Sequence, residues 1–216
     1  MATWGLHIRI AQRLIEQGIA VDQEAFLVGN IGPDCGLANK DGTKFDPPAN
    51  ITHWCDGSKL NIEAALFARK YLTREGLKIK EWSFYLGYYV HLLTDKKFSL
   101  LIQDKIDNDP LYFPLKEDND FIWTIKKDWY DLDRRYFLEN EDSLFFSVFT
   151  KITEFPDYLE YYPQGAVITQ IRFIKEFYRQ EAGDLDRDYL YLSKNEMDCF
   201  LEEVIGYIAT KLADYI

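Results

Sequence analysis

The chain holds 216 residues and three histidines, His7, His53 and His91, and each stands beside features that suit a metal ligand. His91 opens the stretch HLLTD, which sets Asp95 four residues later, one helical turn along the same face. An imidazole and a carboxylate brought together this way suit a divalent cation such as zinc. The pair also poses an energetic question, because an unpaired carboxylate on a buried face is expensive. A cation would remove that cost. A hydrogen-bonded His and Asp pair with no metal would do the same, and these residues alone leave both readings open.

Other donors stand near in the sequence. Asp34 ends GNIGPD, where glycine and proline stop a short helix and leave the carboxylate on a loop. If that loop faces a pocket, Asp34 is a ligand or a general base; otherwise it is a turn residue. His7 shares a helical face with Ile10, Ala11, Leu14 and Ile15 and so points inward, where a satisfied core histidine is the plainer reading. Cys35 and Cys55 flank Asp34 and His53, and thiolates bind zinc, but inert buried thiols explain them more simply. Asp128 and Asp131 of KKDWYDLD could add oxygen ligands, although Asp131 is better explained as a solvated residue paired with Arg134 or Arg135.

The elements that would carry these groups read as helices throughout. Apolar residues recur at three and four spacings, and no run alternates with period two between hairpin turns. The spacing predicts helices over residues 4–18, after Asp22 and after a Ser58 cap to about Thr73. A central helix follows from Glu81 to about Ile106, whose buried stripe is Phe84, Gly87, His91, Phe98 and Ile102. Further helices are expected near Asp118, after Asp142, after Pro163, and after the capping box Ser193, Lys194, Asn195, Glu196. Residues 35–57 form the longest irregular stretch, which contains His53, and irregular stretches of that length tend to be functional. The predicted class is all-α, a multi-helix bundle in a single domain over residues 1–216.

Composition narrows the function. A hydrophobic content of 47% with 15 Tyr, 15 Phe and 5 Trp excludes disorder, since such a chain can bury enough apolar surface to fold. The net charge of −11 repels polyanions, so nucleic acid and anionic membrane surfaces are poor principal partners. No segment reads as a signal peptide or a membrane span, and the odd cysteine count argues for reduced thiols, so the expected setting is soluble and cytoplasmic.

In order along the chain, the inward His7, FLVGNIGPD ending in Asp34, ITHW with His53, and YLGYYVHLLTDKKF with His91 and Asp95 resemble the zinc-dependent phospholipase C family. That family shares its fold with the S1/P1 nucleases. The resemblance covers the first hundred residues. It implies an all-α bundle that hydrolyses phosphodiesters at a zinc cluster, with a metal-bound hydroxide as nucleophile. By that analogy His53, His91 and Asp95 hold one zinc with Asp34 beside it as ligand or general base, while His7 and Asp95 bind a second. Two departures follow. Family members with the full cluster use two further histidines and a glutamate after the HLLTD-like motif, whereas this chain has no histidine beyond His91, so a third site is absent or rebuilt from carboxylates such as Asp128. The secreted phospholipases also use a processed N-terminal tryptophan, while Trp4 here is internal. The expected substrate is therefore a small-molecule or lipid phosphoester. The competing expectation is a non-catalytic helical protein whose metal stabilises the fold.

Overall fold

The computed structural model describes residues 2–73 and 75–216. In chain order its helices are α1 (Trp4–Glu16), α2 (Gln23–Gly29), α3 (Ala49–Thr52), α4 (Ala64–Tyr71), α5 (Ile79–Asn108), α6 (Phe121–Glu139), α7 (Leu144–Ser147), α8 (Ala166–Arg179) and α9 (Lys194–Leu212). Short 3-10 turns add Gly32–Asp34, Lys59–Asn61, Pro110–Glu117 and Phe149–Lys151. The expected all-α class is what the chain adopts. Within the long irregular stretch, β1 (Leu37–Ala38) and β2 (Phe45–Asp46) pair antiparallel, Leu37 opposite Asp46 and Ala38 opposite Phe45. A ribbon two residues long is too short to show period-two alternation and so leaves no sign in the sequence.

The cap residues account for several boundaries. The Thr3 side chain accepts a hydrogen bond from the Leu6 amide at the start of α1, and Asp22 does the same for Ala25 at the start of α2. Ser193 and Glu196 form the full capping box of α9. Ser58, expected to cap a long helix, caps only the turn Lys59–Asn61; α4 starts three residues after that turn and ends at Tyr71. The helix expected after Asp142 is the single turn α7.

The central helix departs from a one-sided stripe. From Ser83 to Asp95 every residue of α5 is buried, so this half of the helix is enclosed on all sides, as expected of a helix running through the core. α2 lies directly against it. Gly29 and Gly87 make that approach possible, since a side chain on Gly29 would overlap the Phe84 carbonyl and one on Gly87 would overlap the Phe26 carbonyl. α6 and α8 clamp the start of α1 from the other side: the Tyr178 hydroxyl accepts from the Gly5 amide at 2.9 Å and donates to Asp133 at 2.5 Å. Arg9 and Arg13 reach Asp198 and Glu202 of α9.

Candidate metal centre

Four separate elements deliver the predicted donors to one place. α1 brings His7, the turn Gly32–Asp34 brings Asp34, His53 caps the C-terminus of α3, and α5 brings His91 and Asp95 one turn apart. The His53 Nε2 atom lies 3.3 Å from Asp34 Oδ1 and 3.5 Å from Asp95 Oδ2. Asp95 Oδ2 is also 3.5 Å from His91 Nε2, and Asp95 Oδ1 is 3.5 Å from His7 Nε2. The His7 and His91 rings stack at 3.7 Å with their planes 6° apart. Two sets of donor atoms, His7/His91/Asp95 and Asp34/His53/His91, each fall within 4.8 Å of one another. All five predicted residues therefore converge.

Second contacts fix which atom each histidine presents. A carbonyl can only accept, so His91 Nδ1 carries the proton it donates to the Asn30 carbonyl at 2.7 Å, and Nε2 is left with its lone pair. His53 Nδ1 donates in the same way to the Ala49 carbonyl at 3.1 Å. The loops are held by tyrosine hydroxyls. The Tyr88 hydroxyl donates to the Thr52 carbonyl, next to His53, and the Tyr162 hydroxyl donates to the Gly32 carbonyl at 2.5 Å, at the head of the turn that ends in Asp34. Tyr161 donates to the Tyr88 hydroxyl at 2.9 Å. Immediately after His53, Trp54 sits in the left-handed region at φ 50°, a strained conformation that its packing against Phe67 and Tyr71 holds in place.

The electrostatics follow from burial and close charges. His7, His53, His91 and Asp95 are at most 1% exposed. Burial, then the neighbouring His91, pushes the His7 imidazole down to about 4, and burial followed by the Lys59 ammonium lowers His53, so both favour the neutral, ligating form. Burial pushes both carboxyls up. At Asp34 the adjoining His53 and His91 rings and Lys59 outweigh it, and at Asp95 Lys59 does so first, holding both well below the usual carboxylate range. Lys59, which nothing in the sequence singled out, donates to Asp95 Oδ2 at 2.6 Å. The Ala2 amide donates to the other oxygen at 2.8 Å. α6 comes near through Lys126, whose ammonium is disfavoured by burial and supported by Asp34 and Asp95.

The remaining candidates lie elsewhere. Asp128 accepts from Arg187 at 2.6 Å and from the Tyr191 amide at 2.7 Å, so it does not rebuild a lost metal site. Asp131 is buried and takes the other side of the same guanidinium at 2.7 Å, with Arg134 only at 4.0 Å. Arginine's fork matches two carboxylates at once, and a partner 56 residues away leaves no local signal. The Cys35 thiol is buried and pushed up by burial, Cys55 is pushed up likewise, and neither joins a donor set. Trp4 packs edge-on against Phe173 and Phe177.

The donors fit a zinc ion by two measures. Buried Nε2 atoms of all three histidines, Nδ1 of His7 and Oδ2 of Asp34 have no hydrogen-bond partner among the described residues, an orphaning that native interiors avoid unless something else satisfies the atoms. Three of the separations also match those between ligands of one ion. Zinc bonds of about 2.0–2.2 Å in a tetrahedron put donors about 3.3–3.6 Å apart. The three measured edges joining Asp34, His53, Asp95 and His91 are 3.3, 3.5 and 3.5 Å.

Residues 6–96 match the family model described as zinc dependent phospholipase C. Over that stretch the chain carries the family's pattern. All five converging donors fall inside it, and zinc is the cofactor that the match and the donor set together support. No curated protein and no solved structure matches the chain. Among the described residues no helix is long and apolar enough to cross a membrane.

Proposed function

We propose that the chain is a phospholipase C-like zinc hydrolase of phosphoesters, with His53, His91 and Asp95 holding the principal ion, Asp34 beside it as general base, and His7 supporting Asp95 from the far side. The observation that carries this reading is the set of three histidine Nε2 atoms, buried and unpartnered, gathered around the two oxygens of Asp95. The family match points to metal-dependent phosphoester hydrolysis, and its description points to a phospholipid headgroup as the substrate class. A bound zinc supplies Lewis acidity: it lowers the pKa of a water it holds to about 7 and neutralises charge on phosphoryl oxygens.

The chain's own residues do the rest. The Nδ1 protons of His53 and His91 stay on backbone carbonyls and fix both rings, so neither ring serves as a proton shuttle. Asp34 is the carboxylate whose Oδ2 is free, and its side chain, 7% exposed against 1% for Asp95, is the more open of the two. It is the group placed to accept the proton of the attacking water.

A second reading, a metal that only stabilises the helices, has one observation in its favour: the histidines are almost fully enclosed. Elemental analysis of protein purified without chelator, followed by a chromogenic phosphodiester assay, separates the two. Hydrolysis requires zinc in the purified protein and turnover that His53→Ala and Asp95→Asn both abolish. Zinc without any turnover of diester or monoester selects the stabilising role, and activity surviving either substitution sinks the proposed site.

A further inference from the structure

We infer that Lys59 is the second cation of this centre, an ammonium that binds the phosphoryl oxygens in the place that a second metal ion occupies in a two-metal phosphodiesterase. The inference rests on the reading of the site as a zinc phosphoesterase and adds to it how the phosphate is held and how many ions take part.

Asp95 is the hub. Its Oδ2 lies 3.5 Å from both His53 and His91 and 2.6 Å from Lys59 Nζ, so one carboxylate oxygen adjoins the candidate zinc donors on one side and a fixed positive charge on the other. Lys59 does not sit in the middle of the donor set, because it lies within 4.0 Å of no carboxylate but Asp95 among the described residues. It stands outside the shell, against it. An ammonium has three N–H donors and this one spends a single hydrogen bond on Asp95, which leaves two for an incoming anion.

The position suits a substrate contact. The Lys59 side chain is 16% exposed while the histidines and Asp95 are 2% or less, so the lysine and Asp34 form the edge of the cluster nearest solvent. A second ion, by contrast, would have no ligand of its own but His7, sharing His91 and Asp95 with the first. After His91 the chain has no histidine, Asp128 is committed to Arg187, and among the described residues no donor set reaches beyond Asp95. What remains for another ion is His7 with donors it would share, and Asp95 Oδ1 already accepts the Ala2 amide. Two-metal sites clamp the entering and leaving oxygens between two charges. Here the charge nearest solvent is supplied by a side chain, in the compact form that suits phosphate. Lys59 transfers no proton in this role; the phosphorus–oxygen bond to the leaving group breaks as water's oxygen bonds to phosphorus, water's proton passes to Asp34, the electron pair of the broken bond stays on the leaving oxygen, which takes a proton from solvent, and Lys59 only donates hydrogen bonds to the non-bridging oxygens.

The test uses the full chain purified with zinc, and inorganic phosphate as probe. Wild type should hold one tightly bound zinc per chain by elemental analysis after dialysis. Lys59→Gln should keep that zinc, as tightly as wild type or more so, yet bind phosphate about tenfold or more weakly by calorimetry. Lys59→Arg should restore a good part of the phosphate affinity. Two or more tight zinc ions in wild type overturn the inference even if the glutamine variant fails to fold. Unchanged phosphate affinity in Lys59→Gln, or loss of zinc from it, overturns it as well, and leaves the zinc-hydrolase reading standing. Wild type without zinc would instead overturn that underlying reading.

Discussion

At the scale of single residues, what distinguishes this interior is how its buried charges are treated. Those at the candidate centre have close cationic or imidazole neighbours, whereas Asp133 of α6 is buried without an ion pair among the described residues. Burial pushes its carboxyl up from 3.8 to about 6 in spite of the Tyr178 hydroxyl and the nearby Arg9. A carboxyl whose folded value is raised stabilises the fold below its unfolded pKa and loses that contribution as pH climbs through the folded one, here from about 4 to about 6. Above that window the ionised group costs about 3 kcal/mol. Asp133→Asn keeps an oxygen for the Tyr178 hydroxyl and removes the charge. It should raise the urea midpoint at pH 7.5 by the equivalent of about 2 kcal/mol and have little or no stabilising effect at pH 4. A difference between variant and wild type that stays constant across that range would show that the carboxyl ionises normally. The sequence placed Asp133 on α6 without marking it, because its environment is made by α1 and α8 and not by its neighbours in the chain.

Among elements, the contact of α2 with α5 decides whether His91 is aimed at all. The Asn30 carbonyl that holds His91 Nδ1 caps α2, and it is within reach only because Gly87, one turn before His91, lets the two backbones meet. A methyl group on Gly87 would overlap the Phe26 carbonyl and approach the Asn30 amide to 3.0 Å. Helix propensity alone makes Gly→Ala favourable by about 1 kcal/mol in a helix interior. Backbone atoms cannot swing aside, so the steric term wins here, and Gly87→Ala should destabilise the protein by about 1–3 kcal/mol while weakening zinc retention against a chelator. A stabilised variant would mean that the helices part without consequence for the site. This is also where the sequence was most and least informative. The turn from His91 to Asp95 and the capping box of α9 are local patterns, fixed by spacing alone, and were legible. The hydroxyl of Tyr162 on the Gly32 carbonyl, 130 residues away, and Lys59 on Asp95 arise only once the chain is folded. Aromatic runs and a lone lysine in a loop gave no signal to set against a core or a solvated surface.

For the molecule as a whole, the donors all come from residues 7–95, and the later helices enclose them without contributing one to either donor set. The two parts should therefore respond differently to metal. α1, the turn Gly32–Asp34, α3 and α5 meet at the cluster, whereas α6 is tied to the segment before α9 by Asp128, Asp131 and Arg187, with no need of an ion. A ligand present at a hundredfold excess over its Kd stabilises the folded state by about 2.7 kcal/mol, so chelation should lower the Tm by about 5–10 °C for a chain of this size. Hydrogen exchange locates the loss. With zinc removed, amides of residues 30–61, including the turns that present Asp34, His53 and Lys59, should exchange faster, because those backbones are held by a few tyrosine hydroxyls once the donor atoms lose their common partner. Amides of α9, with its capping box and apolar face, should change little. Faster exchange spread evenly through α6, α8 and α9 would show instead that the cluster supports the entire bundle. That outcome would favour the stabilising role of the metal over the hydrolytic one, since a site that turns over substrate needs loops able to move while the scaffold stays in place.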